Sequence, residues 1–497
     1  MGQVRTIIKR LSETKLTEFW PGFVFGLVYF GYIFWWFWSL YPLDTLGVSS
    51  KFLSFILVCA TFSISIIGMA FFWGLFSFFS IKILPKQQYQ YLAPWYLASM
   101  FVLIEYARAW GFGILWLGSG SLLGPHWTIG NPAYFFGTSP ILLGTASIWG
   151  IYGIDFIIVF IISAICTLVY FKKRKTRFIV AGEIILVIGV IALTHLLTIK
   201  PPQEQAGVTF SVIQTENQTK IYYTPGEILT DFSQKNAMLK SATNKSDLII
   251  FPEGADFSQT LTDFLSPAAV QKYFNNLAPE NRLIIDSDAI MESSELKSKV
   301  IFIDSKQGIV GFYDKQLLTP AGEFIPYLLK FPFLIIGHIS GKSPEVATEF
   351  TKGSGTDIIT YQDNTFKILV CSEIISPLIS RTGSFGFMIN IDSLGIFKGD
   401  SRMNSELLSS ARFRAAENGK YLIMASNYGQ SYLINSAGSI TDSTSSSGYQ
   451  ILTGTIVPNK TRTWYNRLGD WPILLLSVLF FSLGLISKKC PGKSRLF

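Results

Sequence analysis

Three residues each close a short apolar segment, and each brings a different functional group to a chain turn. Residues 366–370 (FKILV) are apolar or β-branched apart from one lysine, and they lead into Cys371. Residues 248–251 (LIIF) run into Pro252-Glu253-Gly254, and residues 311–314 (GFYD) run into Lys315. A side chain at the end of a buried strand faces a connecting loop, where a substrate can reach it. A carboxylate, an ammonium and a thiol are a general base, a cation for a developing oxyanion, and a nucleophile. Singly, each has a plainer reading: an acid at a helix start, a solvated lysine, a small buried thiol.

The remaining chemistry-bearing residues form no second site. The other cysteines, Cys59, Cys166 and Cys490, lie in two apolar runs and a basic tail, and no pair has redox or metal spacing. The three histidines, His126, His195 and His338, are scattered and read as structural or exposed. No metal site is expected. The formal charge of +8 gathers in short flanks of apolar runs rather than on a basic, aromatic-laced helix. It therefore points to membrane topology and not to nucleic acid.

The elements that must position the three groups are of two kinds. With 49% hydrophobic and 15% charged residues and a mean hydropathy of +0.37, the 497-residue chain is too apolar for a soluble protein. Six stretches, 20–40, 52–81, 93–110, 144–170, 178–197 and 471–486, are long enough for a bilayer core of ~30 Å. The first has no small-residue cleavage site after it and reads as a retained span. Basic residues flank these stretches at Arg5, Lys9, Arg10 and Lys15, at Lys82 and Lys86, at 172–177, and after 487, whereas 41–51 and 111–143 carry almost none. All basic loops fall on one side if both termini are cytoplasmic, which leaves 201–470 outside. The expected domains are 1–200, a membrane domain of about five spans; 201–470, an extracytoplasmic domain; and 471–497, a last span with a basic cytoplasmic tail.

Within 201–470 the pattern changes to short β-branched and aromatic runs at 208–214, 248–251, 283–286, 300–304, 309–313, 366–370, 385–391, 421–426 and 432–435. Helical stretches at 225–241, 268–278 and 404–418 separate some of them, as in a layered α/β domain. Residues 443–447 read as a surface loop. Glu105 and Arg108 sit at the outer end of the third span. They read either as a paired helix anchor or as a phospholipid headgroup contact. Trp35, Trp36 and Trp38 read as an interfacial aromatic belt.

The segments FPEGADF (Glu253), YDKQLLTPAGEFIPY (Lys315, Glu323) and ILVCSEI (Cys371, Glu373) together resemble the carbon–nitrogen hydrolase, or nitrilase, superfamily over roughly 205–455. SARFRAAENGKYLIMASNYG (410–429) is similar to the helix–strand pair behind that family's cysteine. TWYNRLGDWP (463–472) and IEYARAWGFGILWLG (104–118) resemble signatures of its membrane-bound branch, the apolipoprotein N-acyltransferases. Three departures stand out. Ser372 follows the cysteine where an aromatic is common. Ile391-Asp392-Ser393-Leu394-Gly395 replaces Asn-Asp-Ala-Trp-Phe, and Tyr222 or Tyr223 stands for an early Trp. The membrane part also looks two N-terminal spans shorter, which preserves the orientation parity.

The resemblance implies a multi-span α-helical membrane domain joined to a nitrilase-like αββα sandwich. It implies acyl transfer from a membrane phospholipid, through a Cys371 thioester, to the α-amine of a diacylglyceryl-modified apolipoprotein, with no cofactor and no nucleic acid. The protein is expected to act as a monomer in the bacterial inner membrane. Glu253, Lys315 and Cys371 are the implied catalytic residues, with Glu323, Glu373 and Ser372 supporting. Tyr223, Glu105 and Arg108 are candidates for substrate binding. Residues 324–333 are expected to form an apolar lid at a mouth facing the bilayer, near 105–117. Two other readings are open from the residues alone: a membrane-anchored amidase of the nitrilase type, and a non-catalytic membrane binding protein.

Overall fold

In the computed structural model, residues 16–82, 87–171, 173–198, 207–220, 222–277, 280–331 and 349–489 are described. The basic residues at 5–15, Lys86, Cys490, His338 and positions 332–333 of the expected lid lie outside them.

Apolar sequence with no polar stripe gives helices that can face one another or lipid. Five such helices are long and apolar enough to cross a membrane. They are α1 (Trp20–Ile33, extended by 3₁₀ turns to Leu40), α2 (Lys51–Lys82), α3 (Ala93–Leu115), α4 (Pro140–Tyr170) and α5 (Arg174–Thr198). The apolar stretch of the last helix, Trp471–Ile486, is shorter. The chain is a multi-pass membrane protein. Phe25, Phe52, Val169 and Ile185 point outward and exposed. Lipid offers no hydrophobic drive between helices, so close backbone approach must hold them. Gly22 and Gly26 supply it: a Cβ at either would lie 2.2 Å from Trp73 O and 2.8 Å from Ala70 Cα of α2.

Twelve strands make two six-stranded sheets among the described residues. The first runs β12-β1-β2-β3-β4-β5: β1 (Val208–Gln214), β2 (Leu248–Ile250), β3 (Leu283–Glu292), β4 (Glu295–Asp304), β5 (Gly308–Asp314) and β12 (Gln450–Ile456). The second runs β11-β10-β9-β8-β7-β6: β6 (Ile358–Tyr361), β7 (Asn364–Val370), β8 (Phe387–Ser393), β9 (Leu422–Asn427), β10 (Tyr432–Ile434) and β11 (Ile440–Ser443). Each sheet has three parallel central strands, β1-β2-β3 or β7-β8-β9, flanked by antiparallel ones. Buried parallel strands read as near-continuous apolar runs, which is why they stand out in the sequence.

Val212, Ile250 and Ile285 of one sheet pack with Ile368, Val370 and Ile391 of the other. The outer face of the first sheet is covered by α6 (Pro225–Thr243), α7 (Phe257–Phe264) and α8 (Pro267–Leu277), through Leu239, Phe257 and Phe274. The second sheet is covered by α9 (Pro377–Arg381) and α10 (Ser401–Asn418). The layers are therefore αββα, and α10 in turn rests on the membrane helices through Phe413 and Ala416.

Besides the five-residue helices at Pro377–Arg381 and Trp464–Leu468, four elements were not anticipated. Strands β6 and β11 are short, half-exposed or exposed edges, with little apolar signal. β12 carries Gly454, normally a strand weakener. Here the glycine leaves room for the Phe210 ring, which a Cβ would meet at 2.8 Å. α7 has only eight residues, too few for a clear helical period.

α4 is broken at Gly150 (φ 65°). A Cβ there would lie 2.2 Å from the Tyr465 ring, in α11 (Trp464–Leu468). The Ile151 N–H, close to the break, donates to Glu417 of α10 at 2.9 Å. Glu417 is fully buried and ion-paired to Arg414 at 2.9 Å.

Candidate active site

Glu253 follows β2 in a turn that Ser287 pins from β3. Gly254 N–H donates to Ser287 Oγ at 2.9 Å, and Ser287 donates to Pro252 O at 3.2 Å. Gly254 has φ +68°, a value open to glycine without penalty. Lys315 leaves β5 with its N–H bonded to Ser298 O at 2.9 Å. The two meet across the site: Lys315 Nζ lies 3.0 Å from Glu253 Oε1 and 3.0 Å from Glu323 Oε1. The ammonium is sealed, and the two carboxylates keep an edge open, at 17% and 15% side-chain exposure. Glu323 is itself held by Thr319 N–H at 2.7 Å.

Cys371 ends β7 in the other sheet and starts a 3₁₀ turn, Cys371–Ile375. Its φ is +47°, in the left-handed region that a side-chain-bearing residue adopts only when its surroundings impose it. The imposing group is Glu373. Its Oε2 accepts from Val370 N–H at 2.8 Å, and its Oε1 accepts from Tyr313 OH at 2.7 Å, Gln316 N–H at 2.7 Å and Leu317 N–H at 3.2 Å. Ser372 Oγ donates to Leu317 O at 2.6 Å. The cysteine turn is thus tied to the segment that carries Lys315, so thiol and ammonium are set by one network.

The thiol lies within electrostatic reach of Glu253 and Lys315. Burial pushes Cys371 well above the usual thiol range, and Glu253 adds to the shift while Lys315 opposes it. Burial also raises Glu253, against the pull of Lys315. For Lys315 burial acts downward, but Glu253 and Glu323 hold it well above an ordinary lysine. Burial therefore favours the neutral thiol at rest, beside the fixed Lys315 cation.

Asp392 was not singled out from the sequence. It lies near the end of β8, fully buried, with its Oδ2 accepting from Asn390 at 3.0 Å and its Oδ1 without a partner among the described residues. Burial, with the charge of Glu253 adding to it, lifts it to about 8. The signal that could have found it is the one that found Glu253, a carboxylate closing an apolar strand.

The three substrate-binding candidates are elsewhere. Glu105 and Arg108 are fully buried and paired at 2.8 Å. Trp73 Nε1 donates to Glu105 at 2.7 Å, and Arg108 donates to Ile129 O at 3.0 Å. That arrangement fits the helix anchor and leaves no surface for a headgroup. Tyr223 is half-exposed, its hydroxyl donating to Gln218 O at 2.7 Å, and no contact joins it to the three central residues. His126 is buried with Nδ1 2.8 Å from Ser376 Oγ, and burial lowers it to about 4. It is a neutral structural group, as expected.

A family model for carbon-nitrogen hydrolases matches residues 221–466, the stretch that carries all six residues of this network. Residues 221–466 form a carbon–nitrogen hydrolase domain. Relatives similar over most of the chain include apolipoprotein N-acyltransferases. That of Haemophilus influenzae is 24% identical over 78% of this chain and 73% of its own length. That of Pseudomonas putida is 23% identical over 94% and 88%, and that of Caulobacter vibrioides 24% over 93% and 84%. Their similarity runs through the membrane helices as well as the hydrolase domain. Among solved structures, a carbon–nitrogen hydrolase superfamily protein from Xanthomonas campestris with an arsenic adduct in its active site aligns with a TM-score of 0.38 at 15% identity. It covers 59% of this chain and all of its own.

Proposed function

We propose that this protein moves a fatty acyl group from a membrane phospholipid to the α-amine of an N-terminal diacylglyceryl-cysteine on apolipoproteins, through a thioester on Cys371. The observation that carries the proposal is the Glu253–Lys315–Glu323 cluster with the buried Cys371 thiol within its electrostatic reach, in a chain similar over most of its length to apolipoprotein N-acyltransferases.

Glu253 takes the Cys371 proton as the sulfur attacks the ester carbonyl. The oxyanion is met by Lys315 and by the Ser372 backbone N–H; the Ser372 hydroxyl is already committed to Leu317 O. Collapse breaks the ester C–O bond. Glu253 returns the proton to the leaving lysophospholipid, and the acyl group stays on sulfur. The acceptor amine then attacks the thioester, Glu253 accepts its proton, the C–S bond breaks, and the thiol is restored with an amide as product. Glu323 shares the Lys315 charge, which leaves Glu253 free to act as base. Ester, thioester and amide exchange without a nucleotide or metal. The hydrolase domain faces the extracytoplasmic side and both termini are cytoplasmic, on the pattern of basic flanks.

Intact-protein mass spectrometry after incubation with phospholipid tests the reading. It should show one acyl adduct on Cys371, lost on adding an N-terminal diacylglyceryl-cysteine peptide. Release of free fatty acid in place of acylated peptide would make the protein a hydrolase instead.

A further inference from the structure

A second buried ammonium lies behind the Glu253 turn. Lys235 sits in the interior of α6, in the helical layer over the first sheet, and is only 2% exposed. Lysine is almost never fully buried unless its charge is paired. Its Nζ donates to Asp231 Oδ2 at 2.6 Å, one turn earlier on the same helix face, and to the Ala255 carbonyl at 2.5 Å. Ala255 is buried and stands two residues past Glu253.

The turn needs holding from outside. Gly254 and Asp256, on either side of Ala255, have φ of +68° and +52°. Asp256 carries a side chain, so its left-handed backbone must be imposed by what surrounds it. β3 takes one part of the turn: the Gly254 N–H donates to Ser287 Oγ at 2.9 Å, and the Asp256 N–H to Ser287 O at 3.1 Å. The Ala255 carbonyl between them goes to α6 instead, through Lys235. A buried carbonyl left without a donor costs about as much as a lost hydrogen bond, so this contact bears on where the turn rests. The lysine is itself fixed, because Asp231 Oδ1 accepts from Tyr449 OH at 2.6 Å, next to the start of β12. Lys235 bonds none of the three central residues directly. Its route to the chemistry is the backbone that carries Glu253.

We infer that Lys235 is a positioning residue for acyl transfer, setting the place of the Glu253 carboxylate by holding the carbonyl two residues beyond it. The inference rests on the reading of Glu253 as the general base, and adds to it a residue from outside the strand-end segments. Reacting groups misplaced by about 1 Å can lose on the order of 10²-fold in rate. A backbone bond this close to the base can therefore weigh on the reaction without touching the substrate.

The test is single-turnover formation of the acyl adduct by the full chain in detergent micelles, at rising concentrations of dioleoylphosphatidylethanolamine. Lys235→Met keeps the length of the side chain and removes the donor. The limiting rate should fall about ten- to a hundredfold, while the half-saturating lipid concentration stays at the wild-type value. The decisive arm places Lys235→Met on Glu253→Gln. If Lys235 acts through Glu253, the double variant is no slower than Glu253→Gln alone, because two changes on one route do not add. A wild-type limiting rate in Lys235→Met overturns the inference. So does the same fold loss in both backgrounds, which would make Lys235 a general support of the fold. Asp231→Asn serves if Lys235→Met does not fold, since it weakens the anchor and keeps the ammonium. It should slow the reaction severalfold, and only where Glu253 is present; a wild-type rate, or an equal loss without Glu253, overturns the inference as well. A normal rate in Glu253→Gln is a different failure: it removes the base itself, and the role of Lys235 falls with it.

Discussion

Two carboxylates flank Lys315 at equal distance, 3.0 Å, but Glu253 acts on the thiol more strongly than Glu323 does. That asymmetry assigns separate expectations. Cys371→Ala should abolish the acyl adduct, and Cys371→Ser should lose most turnover because a hydroxyl is a far weaker nucleophile here. Glu253→Gln should cost about 10²–10⁴-fold in the acylation rate, and Lys315→Met about 10²–10³-fold, both read by single-turnover adduct formation. Normal rates in either would remove that residue from the reaction. The pH profile carries a second expectation. Glu253 must be ionised to accept a proton, and burial raises it, so activity should fall with acid at a midpoint above 4.5. Asp392, pushed to about 8, is neutral at pH 7. As it ionises it adds negative charge beside Glu253 and Cys371 and makes the thiol harder to deprotonate. Asp392→Asn should therefore keep near-normal activity at pH 7 and lose less than wild type between pH 7 and 9. A parallel decline in both would leave Asp392 with no part in the profile. The three central residues were legible because each ends an apolar strand inside a recognisable segment. Asp392 ends one too, but lies in a stretch that departs from the family pattern. The sealing of Glu105 and Arg108 depends on α1, α2 and the 116–139 loop closing around them, which spacing along one helix does not reveal.

The cysteine turn shows how elements, rather than single residues, set the site. β7 and β5 belong to different sheets, and Glu373 bridges them by accepting four hydrogen bonds, three from backbone N–H groups. Replacing it with Gln would turn one acceptor into an NH₂ group facing a donor. Each buried donor so orphaned costs roughly 1–3 kcal/mol. Glu373→Gln should lower the denaturation midpoint of the hydrolase domain and slow acylation together, because the left-handed Cys371 loses its support. A variant with wild-type stability and rate would show the φ of Cys371 to be fixed by other contacts. Elements of this sandwich were readable in proportion to their burial. The parallel central strands are continuous apolar runs, whereas β6 and β11 are shallow edges. The β3–β4 hairpin extends past its predicted ends to a turn at Ser293-Ser294, both at positive φ. Beyond the core that hairpin is exposed and carries charge, so no apolar pattern marked its length.

At the scale of the molecule, the hydrolase domain is fastened to the membrane helices at several points, and the fastening lies beside the segment that carries Lys315. Phe324, one residue past Glu323, is buried against Gly118 and Gly120, where a Cβ would meet its ring at 2.6 and 2.9 Å. Tyr327 N–H bonds Leu117 O at 2.8 Å, just beyond the end of α3. Thr128 donates to Ile375 O at 2.6 Å, joining the same loop to the cysteine turn. The domain therefore sits at the ends of α1, α3 and α4. If that end is extracytoplasmic, reporter fusions at Ser446 and at the C-terminus should give opposite signals, and same-side signals would refute the orientation. The described part of the expected lid has the surface such a position calls for: Tyr327, Leu328 and Phe331 are 52%, 43% and 66% exposed. Apolar side chains left open next to a span end are at home in the bilayer interface and costly in water, about 0.8 kcal/mol per exposed CH₂. A substrate with long acyl chains bears the same cost, so the mouth should lie where these residues lie. Leu328→Asp and Phe331→Asp place charge at that boundary without touching the buried Phe324. Acyl transfer from phospholipid vesicles should drop several-fold more than reaction with a short, water-soluble ester, which needs no bilayer contact. Equal losses on both substrates would mean that the segment only packs on the domain, and that lipid enters elsewhere.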